Sequence, residues 1–309
     1  MANVNAANAD PGTRPAEGPP ARDSVFQRML GAALPRLRRR FLPRNRFGDN
    51  LYHRLLFLSK HRRAPGRGML WNDVLYRLKT SEEIRDPLRV LVSDKEHVKQ
   101  YVRDTVGEEY NVPTLAVMRS PAEVDAFEFP ARCCIKPTHA SGQVILRQRG
   151  EPIDLARIRG WFGLDYYRAG REANYRGLQP KVIVEPLIFD SINVEDFKVF
   201  CWNGAPKLVQ QDFDRYTNHT RKYFNTDWNE LDFSIIYPRS NAPAPRPASL
   251  PVMLEVARKL SAPFSFIRID LYTDGERVLV GEITNCSENA GGVFVPPSGE
   301  QSASRILFG

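Results

Sequence analysis

The chain has 309 residues, of which 42% are hydrophobic and 26% are charged, a composition typical of a globular protein with a sizeable core. No apolar run approaches the roughly 18 residues of a membrane-spanning helix, and the first 20 residues lack the apolar core expected of a secretory signal. The net charge is +8, but residues 1–67 hold 14 basic and four acidic side chains, whereas the remainder holds 30 basic and 32 acidic. This distribution argues against a nucleic-acid-binding core.

The N-terminal part differs in composition from the rest. Residues 1–23 are rich in Ala, Pro and Gly, and we predict a disordered tail because they cannot bury enough apolar surface. Residues 24–92 form a basic N-terminal part, in which the stretch 36–46 interleaves basic and apolar residues. We interpret this stretch either as a solvated connector or as a contact with a membrane surface or an anionic polymer.

The four cysteines are widely spread and form no CxxC pair. They predict reduced thiols in a cytoplasmic protein, with peripheral contact to the inner face of the membrane as an open alternative. Because neither Cys nor His clusters at ligand spacing, the pattern does not favour a zinc site.

Taken in chain order, the apolar periodicity predicts an α+β protein with antiparallel sheets. Ser93 and Glu96 have the spacing of a capping box, which predicts a helix running to about residue 106. The other predicted helices begin at Ser24, cover 51–60 and 71–80, begin at Ser120, and cover 155–161 and 253–260. The predicted strands cover 88–92, 114–118, 132–136, 144–147, 181–185, 197–202, 206–211, 266–272 and 278–284. Asn203-Gly204 and Asp274-Gly275 are predicted hairpin turns.

The last hairpin predicts a metal site. Asp270 and Glu282 lie at matching depths from the turn, so the two carboxylates are expected side by side on neighbouring strands. Like charges in this position favour a hard divalent cation, and Mg²⁺ prefers carboxylate oxygens completed by phosphate and water. Thr284 or Asn285 could supply a further oxygen. The alternative is a pair of ordinary surface acids.

A second pattern predicts phosphate binding. Lys136 ends a predicted strand and precedes a small, polar loop that contains Ser141 and Gly142. Such a loop can aim its backbone N–H groups at phosphate oxygens while the lysine supplies charge, although it is not a Walker A motif. Lys95, near the start of a predicted helix, is a second candidate cation, but by itself it could be an ordinary surface lysine.

Together these patterns resemble the TupA-like ATP-grasp family, which acts in bacterial surface-polysaccharide biosynthesis. The resemblance covers roughly residues 51–295. It rests on the order and spacing of several motifs: Ser-Asp-Lys-Glu at 93–96, Lys-x-x-His-x-Ser-Gly at 136–142, Asp-Phe-Lys at 196–198, Asp-Phe-Asp-Arg at 212–215, Arg-Ile-Asp at 268–270 and Gly-Glu-Ile-Thr at 281–284. Many ATP-grasp enzymes carry Glu-x-Asn as the last of these motifs, whereas this chain has Thr284 at the third position.

The resemblance implies an ATP-grasp fold in which a lid subdomain (93–184) and a catalytic subdomain (185–309) clamp ATP. It also implies Mg²⁺, with Mn²⁺ as a possible substitute. By position, it assigns phosphate contacts to Lys95, Lys136, Ser141 and Gly142, the adenine pocket to Glu185 and Leu187, ribose to Asp196, the metal to Asp270 and Glu282, and stabilisation of the reacting groups to Arg268.

The implied reaction is an ATP-dependent condensation of a carboxylate with an amine through an acyl phosphate, plausible for a uronic acid in a surface polysaccharide or its precursor. We expect the polar run after residue 211 to line the substrate cleft through Asp214, Arg215, Asn218, His219 and Arg221. The alternative is a polar loop in which Tyr216 packs inward. A kinase-like phosphotransferase and a non-catalytic binding module for anionic glycans remain alternative functions.

Overall fold

The computed structural model describes residues 42–191, 194–214 and 217–309. Its helices are α1 (Arg46–His61), α2 (Trp71–Thr80), α3 (Pro87–Leu91), α4 (His97–Thr105), α5 (Pro121–Ala126), α6 (Leu155–Trp161), α7 (Tyr166–Gly170), α8 (Leu250–Ser261) and α9 (Gly299–Phe308). Its strands are β1 (Ala116–Met118), β2 (Cys133–Pro137), β3 (Ile145–Arg147), β4 (Val182–Glu185), β5 (Glu195–Trp202), β6 (Ala205–Phe213), β7 (Thr220–Asn225), β8 (Ser234–Ile235), β9 (Phe266–Thr273), β10 (Val278–Thr284) and β11 (Phe294–Val295).

The larger sheet has five antiparallel strands in the order β10-β9-β5-β6-β7. One face is apolar because alternate side chains such as Val199 and Ile269 pack against Met253 and Leu260 of α8. Both predicted hairpins are confirmed, and Asn203 and Gly204 take the positive φ angles that a tight hairpin turn requires.

The opposite face of this sheet is covered at one end by the N-terminal helix α2 and the C-terminal helix α9. Trp71 of α2 packs edge-on against Phe200 of β5, with ring centroids 4.9 Å apart, and Leu307 of α9 is buried in the same cluster. The helices leave the other end of this face to polar side chains, which form the candidate site.

The smaller sheet has four antiparallel strands in the order β1-β4-β2-β3. Helices α5 and α6 cover one face, where Ile135 and Val184 are fully buried with Ile158 and Trp161. The other face carries Cys134, Lys136, Ile183 and Glu185 by strand alternation. Strands 8 and 11 pair separately as a short ribbon. The α+β prediction with antiparallel sheets is therefore confirmed.

Two local predictions are wrong. The segment predicted as a strand over 88–92 instead contains the helix Pro87–Leu91, because Pro87 occupies the first turn and the Asp86 carboxylate caps it, accepting from the Leu88 backbone N–H at 2.8 Å. Ser93 does not cap the next helix, since its hydroxyl donates to the Arg89 carbonyl. Asp94 takes that position and accepts from the backbone N–H groups of residues 96 and 97.

Some predictions fall outside the described residues. These are the tail 1–23, the helix beginning at Ser24, most of the basic stretch 36–46, and the side chains of Arg215 and Tyr216. In the part of the chain that is described, no helix combines the length and apolarity needed to cross a membrane.

Candidate functional site

The polar face of the five-stranded sheet brings together charges that are far apart in sequence. Cross-strand register aligns Glu282 of β10 with Asp270 of β9, and Asp270 with Lys198 of β5. The next aligned row contains Asp196 of β5 and Asp212 of β6. Because side chains alternate along each strand, all five lie on the face opposite α8.

Arg268 organises the predicted metal ligands. Its guanidinium donates to both oxygens of Asp270 at 2.7 Å and to the Thr284 hydroxyl at 3.2 Å. Glu282 receives Lys95, whose ammonium lies 3.4 Å from one carboxylate oxygen. The structure therefore brings Asp270, Glu282 and Thr284 together around one arginine.

These oxygen donors fit a divalent cation. Burial raises the pKa of Asp270 even though Arg268 opposes the shift, while Lys95 and Arg268 outweigh burial and lower the pKa of Glu282. A carboxylate offers about four lone-pair positions, so Asp270 keeps acceptor capacity beyond the two bonds from Arg268. A buried carboxylate, Asp270, paired with a partly exposed one, Glu282, beside a hydroxyl supplies the oxygen ligands that Mg²⁺ prefers.

Asn285 lies apart from this cluster. Its side-chain oxygen accepts from Arg89 at 2.9 Å, and its amide nitrogen donates to the Arg89 carbonyl and to the Ser93 hydroxyl. The residue is buried with both ends of its amide engaged. Of the two proposed third ligands, Thr284 faces the site, whereas the Asn285 side chain holds α3 in place through Arg89.

Lys198 is a site residue that the sequence analysis missed. Its ammonium lies 2.6 Å from Asp196 and 2.9 Å from Asp212, and its side chain is only 4% exposed. Asp212 is held further by Arg221 at 3.1 Å and by His219 at 3.3 Å. Lys198 and Arg221 together outweigh burial and hold the pKa of Asp212 well below its usual range.

The four-stranded sheet carries a second cationic group. Lys136 and Lys99 each approach one oxygen of Glu185 at 2.7 Å, and Glu185 is buried. Burial alone would lower the pKa of Lys136, but the charge of Glu185 raises it above its usual range. Leu187, two residues after Glu185, is also buried. The ion pair between Lys99 and Glu185 was not predicted. Lys99 lies on α4, far from Glu185 in sequence, and approaches it only in the folded chain.

The loop after β2 carries the predicted phosphate contacts. Its base is held because the Lys95 backbone N–H donates to the Thr138 carbonyl at 3.1 Å and the Lys95 ammonium donates to the Ala140 carbonyl at 2.9 Å. Ser141 and Gly142 are exposed beyond this anchor. Gly142 has a φ of +76° and no atom within 4 Å of the position that a Cβ would take, so the tip is open.

The predicted substrate residues divide into two groups. Arg221 is buried and fixed by Asp212, by Glu288 at 3.3 Å and by the face of Tyr237, whose ring centre lies 4.5 Å away. His219 packs against the same tyrosine. Asp214 and Asn218 are exposed, and Arg215 lies outside the described residues. Arg221 thus organises the end of the sheet, while Asp214 and Asn218 can meet a ligand.

A second cluster of acidic side chains already contacts the ammonium of a lysine. Asp94, Glu96 and His97 cluster closely enough to share an ion, but the Lys181 ammonium contacts Glu96, lies 3.1 Å from Asp94 and lies 3.3 Å from the His97 ring. The lysine compensates these charges, so the cluster is explained without a metal ion.

Comparison with known proteins supports the resemblance seen in the sequence. A family model described as TupA-like ATPgrasp matches residues 74–300. No curated protein matches the chain. Solved structures similar to it include a D-alanine–D-alanine ligase from Helicobacter pylori, with 16% identity, a TM-score of 0.41 and coverage of 79% of this chain and 69% of that one.

Two further structures are similar at the same level. A D-alanine–D-alanine ligase from Bacillus anthracis complexed with ATP has 15% identity, a TM-score of 0.37 and coverage of 71% of this chain and 63% of that one. The ATP-grasp ligase PsnB complexed with a minimal precursor has 13% identity, a TM-score of 0.37 and coverage of 65% and 55%. The chain thus spans less than two thirds of these two proteins. The match to the family model shows that the chain belongs to the TupA-like ATP-grasp family; ATP-grasp enzymes use ATP and Mg²⁺, and ligases among them, such as D-alanine–D-alanine ligase, form carbon–nitrogen bonds.

Proposed function

We propose that this protein joins a carboxylate to an amine at the expense of ATP, through an acyl phosphate. The observation that carries the proposal is the position of Lys95. Its ammonium contacts the Ala140 carbonyl in the exposed loop and also the Glu282 carboxylate of the catalytic sheet. One lysine therefore links the proposed phosphate loop to the proposed metal ligands, as a shared triphosphate site requires.

The charges of the cleft suit the two chemical steps. In the first step a substrate carboxylate oxygen attacks the γ-phosphorus, and the bond from that phosphorus to ADP breaks. In the second step the amine nitrogen, deprotonated from its ammonium form, attacks the acyl carbon and releases a further proton, and phosphate leaves with the electron pair of the broken carbon–oxygen bond. Lys95, Lys136 and Arg268 neutralise charge that develops on phosphate and acyl oxygens.

We assign the metal to Asp270, Glu282 and Thr284. A bound Mg²⁺ ion would supply Lewis-acid neutralisation of the transferring phosphate oxygens. Arg268 keeps the Asp270 carboxylate in place through its two parallel hydrogen bonds. Asn285 is left out of the ligand set because its amide holds Arg89.

The remaining nucleotide contacts follow from position. The segment Glu185 to Leu187 would receive adenine at the end of β4, and Asp196 would meet the ribose hydroxyls. Lys198, which forms ion pairs with Asp196 and Asp212, keeps these carboxylates oriented at the floor of the cleft. Ser141 and Gly142 would cover the phosphates through their exposed backbone N–H groups.

We propose a uronic acid of a surface polysaccharide or its precursor as the carboxylate. The support is the polar end of the sheet, where Asp214 and Asn218 are exposed beside the fixed Arg221–Asp212 pair. Contact with an anionic polymer or the inner membrane surface would use the stretch 36–46. Of its described basic residues, Arg44 and Arg46 are exposed, although each approaches an acidic side chain of its own chain.

The test measures ADP release and product mass with glucuronate or galacturonate and a panel of primary amines. A ligase releases ADP only when carboxylate and amine are both present, and the product mass equals the two substrates less one water. ADP release that needs no amine, with a phosphorylated product, would instead establish a phosphotransferase.

A further inference from the structure

The segment that joins the lid to the body carries a group of side chains without an assigned role. It includes α7 and the helical turn Ala173–Tyr175. Although it precedes β4 of the lid, it is anchored to the body, because Ala173 is buried against the N-terminal helices and Asn174 donates to Ser93 at 2.8 Å. Ser93 also accepts from Asn285, which directly follows β10, so the segment is held beside the end of that strand.

Glu172 is the unusual member of this segment. Only 9% of the residue is exposed, and within the described parts of the chain its carboxylate has no hydrogen bond and no ion pair within 4 Å. Lys79 attracts it electrostatically, but the Lys79 ammonium is committed to the carbonyl and side-chain oxygens of Asn289. Burial, with a further contribution from Glu282, raises the pKa of Glu172 to about 7. A buried carboxylate is costly unless a cation or donors compensate it.

Two aromatic rings belong to the same segment as this carboxylate. Tyr166 and Tyr175 are half-buried and pack edge-to-face, with ring centroids 4.6 Å apart. Tyr175 shares a helical turn with Glu172, where its backbone N–H donates to the Glu172 carbonyl at 3.1 Å. Burial raises the pKa values of both phenols, and the charges of Glu172 and Glu282 add to that shift.

We propose that Glu172, Tyr166 and Tyr175 form the subsite that binds the amine substrate as a primary ammonium ion. The carboxylate supplies the opposite charge, and the ring faces supply cation–π contact. The inference rests on the proposed ligase function, since it places the nitrogen beside Glu282 and Arg268, where the carboxyl group would be activated. It predicts selectivity for cationic primary amines over neutral nitrogen nucleophiles.

The test compares two nucleophiles in ADP release with glucuronate or galacturonate. One is the best primary amine from a panel of lysine, glutamate and glucosamine, and the other is hydroxylamine, which is uncharged near neutral pH. Glu172→Gln should raise the KM for the amine ~30-fold or more, the effect expected when one partner of a buried charge pair is removed. Hydroxylamine-dependent ADP release and Mg²⁺–ATP binding should be unchanged.

Matched variants separate binding from structural support. Lys79→Gln removes the nearest cation, and it should leave the KM for the amine unchanged, whereas an equal rise would mean that Glu172 acts only by holding Lys79. Tyr166→Leu keeps the buried charges and should raise that KM roughly 2- to 5-fold through lost cation–π contact. The Tyr166→Leu variant therefore tests the amine subsite if Glu172→Gln does not fold. Glu255→Gln, on the opposite side of the sheet, is the matched control.

The outcomes distinguish the two hypotheses. If wild type releases ADP with both nucleophiles but Glu172→Gln leaves the KM for the amine unchanged, the amine subsite is wrong while the ligase stands. Equal loss with amine and hydroxylamine, with ATP binding retained, also overturns the subsite. Wild type that binds ATP yet releases no ADP with any carboxylate and amine overturns the ligase and the subsite together.

Discussion

Replacing Lys198 with glutamine should destabilise the protein strongly, although the side chains have similar length. Lys198 lies between two carboxylates, 2.6 Å from Asp196 and 2.9 Å from Asp212, and is 4% exposed. Breaking a buried ion pair by removing one partner costs about 3–5 kcal/mol. Arg221 stays 3.1 Å from Asp212 after the change, so we expect about 3 kcal/mol, at the lower end of that range.

Thermal and urea unfolding measure this effect. For a chain of this size, a loss of about 3 kcal/mol corresponds to a decrease in Tm of roughly 5–10 °C. Lys207→Gln, an exposed lysine on the neighbouring strand, is the control and should change the free energy of unfolding by less than about 0.5 kcal/mol.

A double variant tests the cause. Lys198→Gln combined with Asp212→Asn removes the ammonium and one of the carboxylates that it neutralises. The charge argument predicts a smaller loss than the sum of the two single variants. The reasoning is refuted if Lys198→Gln unfolds like wild type, or if the two losses add without interaction.

Three further predictions address separate parts of the site. Asn285→Ala should lower the free energy of unfolding by about 1–3 kcal/mol, because the buried Arg89 loses one acceptor for its guanidinium and one donor to its carbonyl, yet leave Mg²⁺ dependence unchanged; weaker Mg²⁺ binding would return Asn285 to the ligand set. Folding raises the pKa of Glu172 from 4.5 to about 7, so between these pH values the folded protein holds a proton that the unfolded chain loses. The free energy of unfolding should therefore fall by up to roughly 3 kcal/mol as the pH rises from 4.5 to about 7. Glu172→Gln should make the free energy of unfolding, measured by urea titration, vary less with pH across this window. An unchanged pH dependence in the variant would contradict this explanation. Gly281→Ala should cost about 1–3 kcal/mol because its Cβ would meet Tyr272 at 2.3 Å, whereas Gly68→Ala, with open space, should be nearly neutral in thermal unfolding.

The metal pair was predictable from sequence because a hairpin turn fixes the register of the strands that it joins. Next to the turn at Asp274 and Gly275 the strands align Val280 with Leu271, a register that would bring Gly281 opposite Asp270. A bulge between residues 280 and 282 shifts the register by one residue and brings Glu282 opposite Asp270. The turn therefore predicted the two carboxylates to within one residue, and the bulge that pairs them could not be foreseen.

Lys198 could not be predicted in the same way. Its partner Asp212 lies on the next strand of a hairpin, but its other aligned neighbour, Asp270, comes from a strand more than 60 positions later. The motif Asp-Phe-Lys indicated only that Asp196 and Lys198 lie on one face of a strand, because side chains alternate along it. No sequence pattern indicated a role for Glu172, because that role depends on its burial and on the absence of a compensating partner among the described residues.

The misread segment 88–92 has a local cause. Its Leu and Val residues favour a short strand by composition, but Pro87 and the Asp86 cap favour a helix start. Arg89 is then buried on α3 and donates to the Asn285 side-chain oxygen, a contact that keeps this amide apart from the metal ligands. Tertiary contacts of this kind override local propensity.

The most direct test of the account is calorimetric titration of Mg²⁺–ATP into wild type, Glu282→Ala and Lys136→Ala, with Lys207→Gln as the control. The account predicts micromolar binding by wild type and by the control, and at least ~10-fold weaker binding by both site variants, because each loses a charge that faces the triphosphate. Folded wild type that binds no ATP, or site variants that bind it as well as wild type, would contradict the proposed nucleotide site.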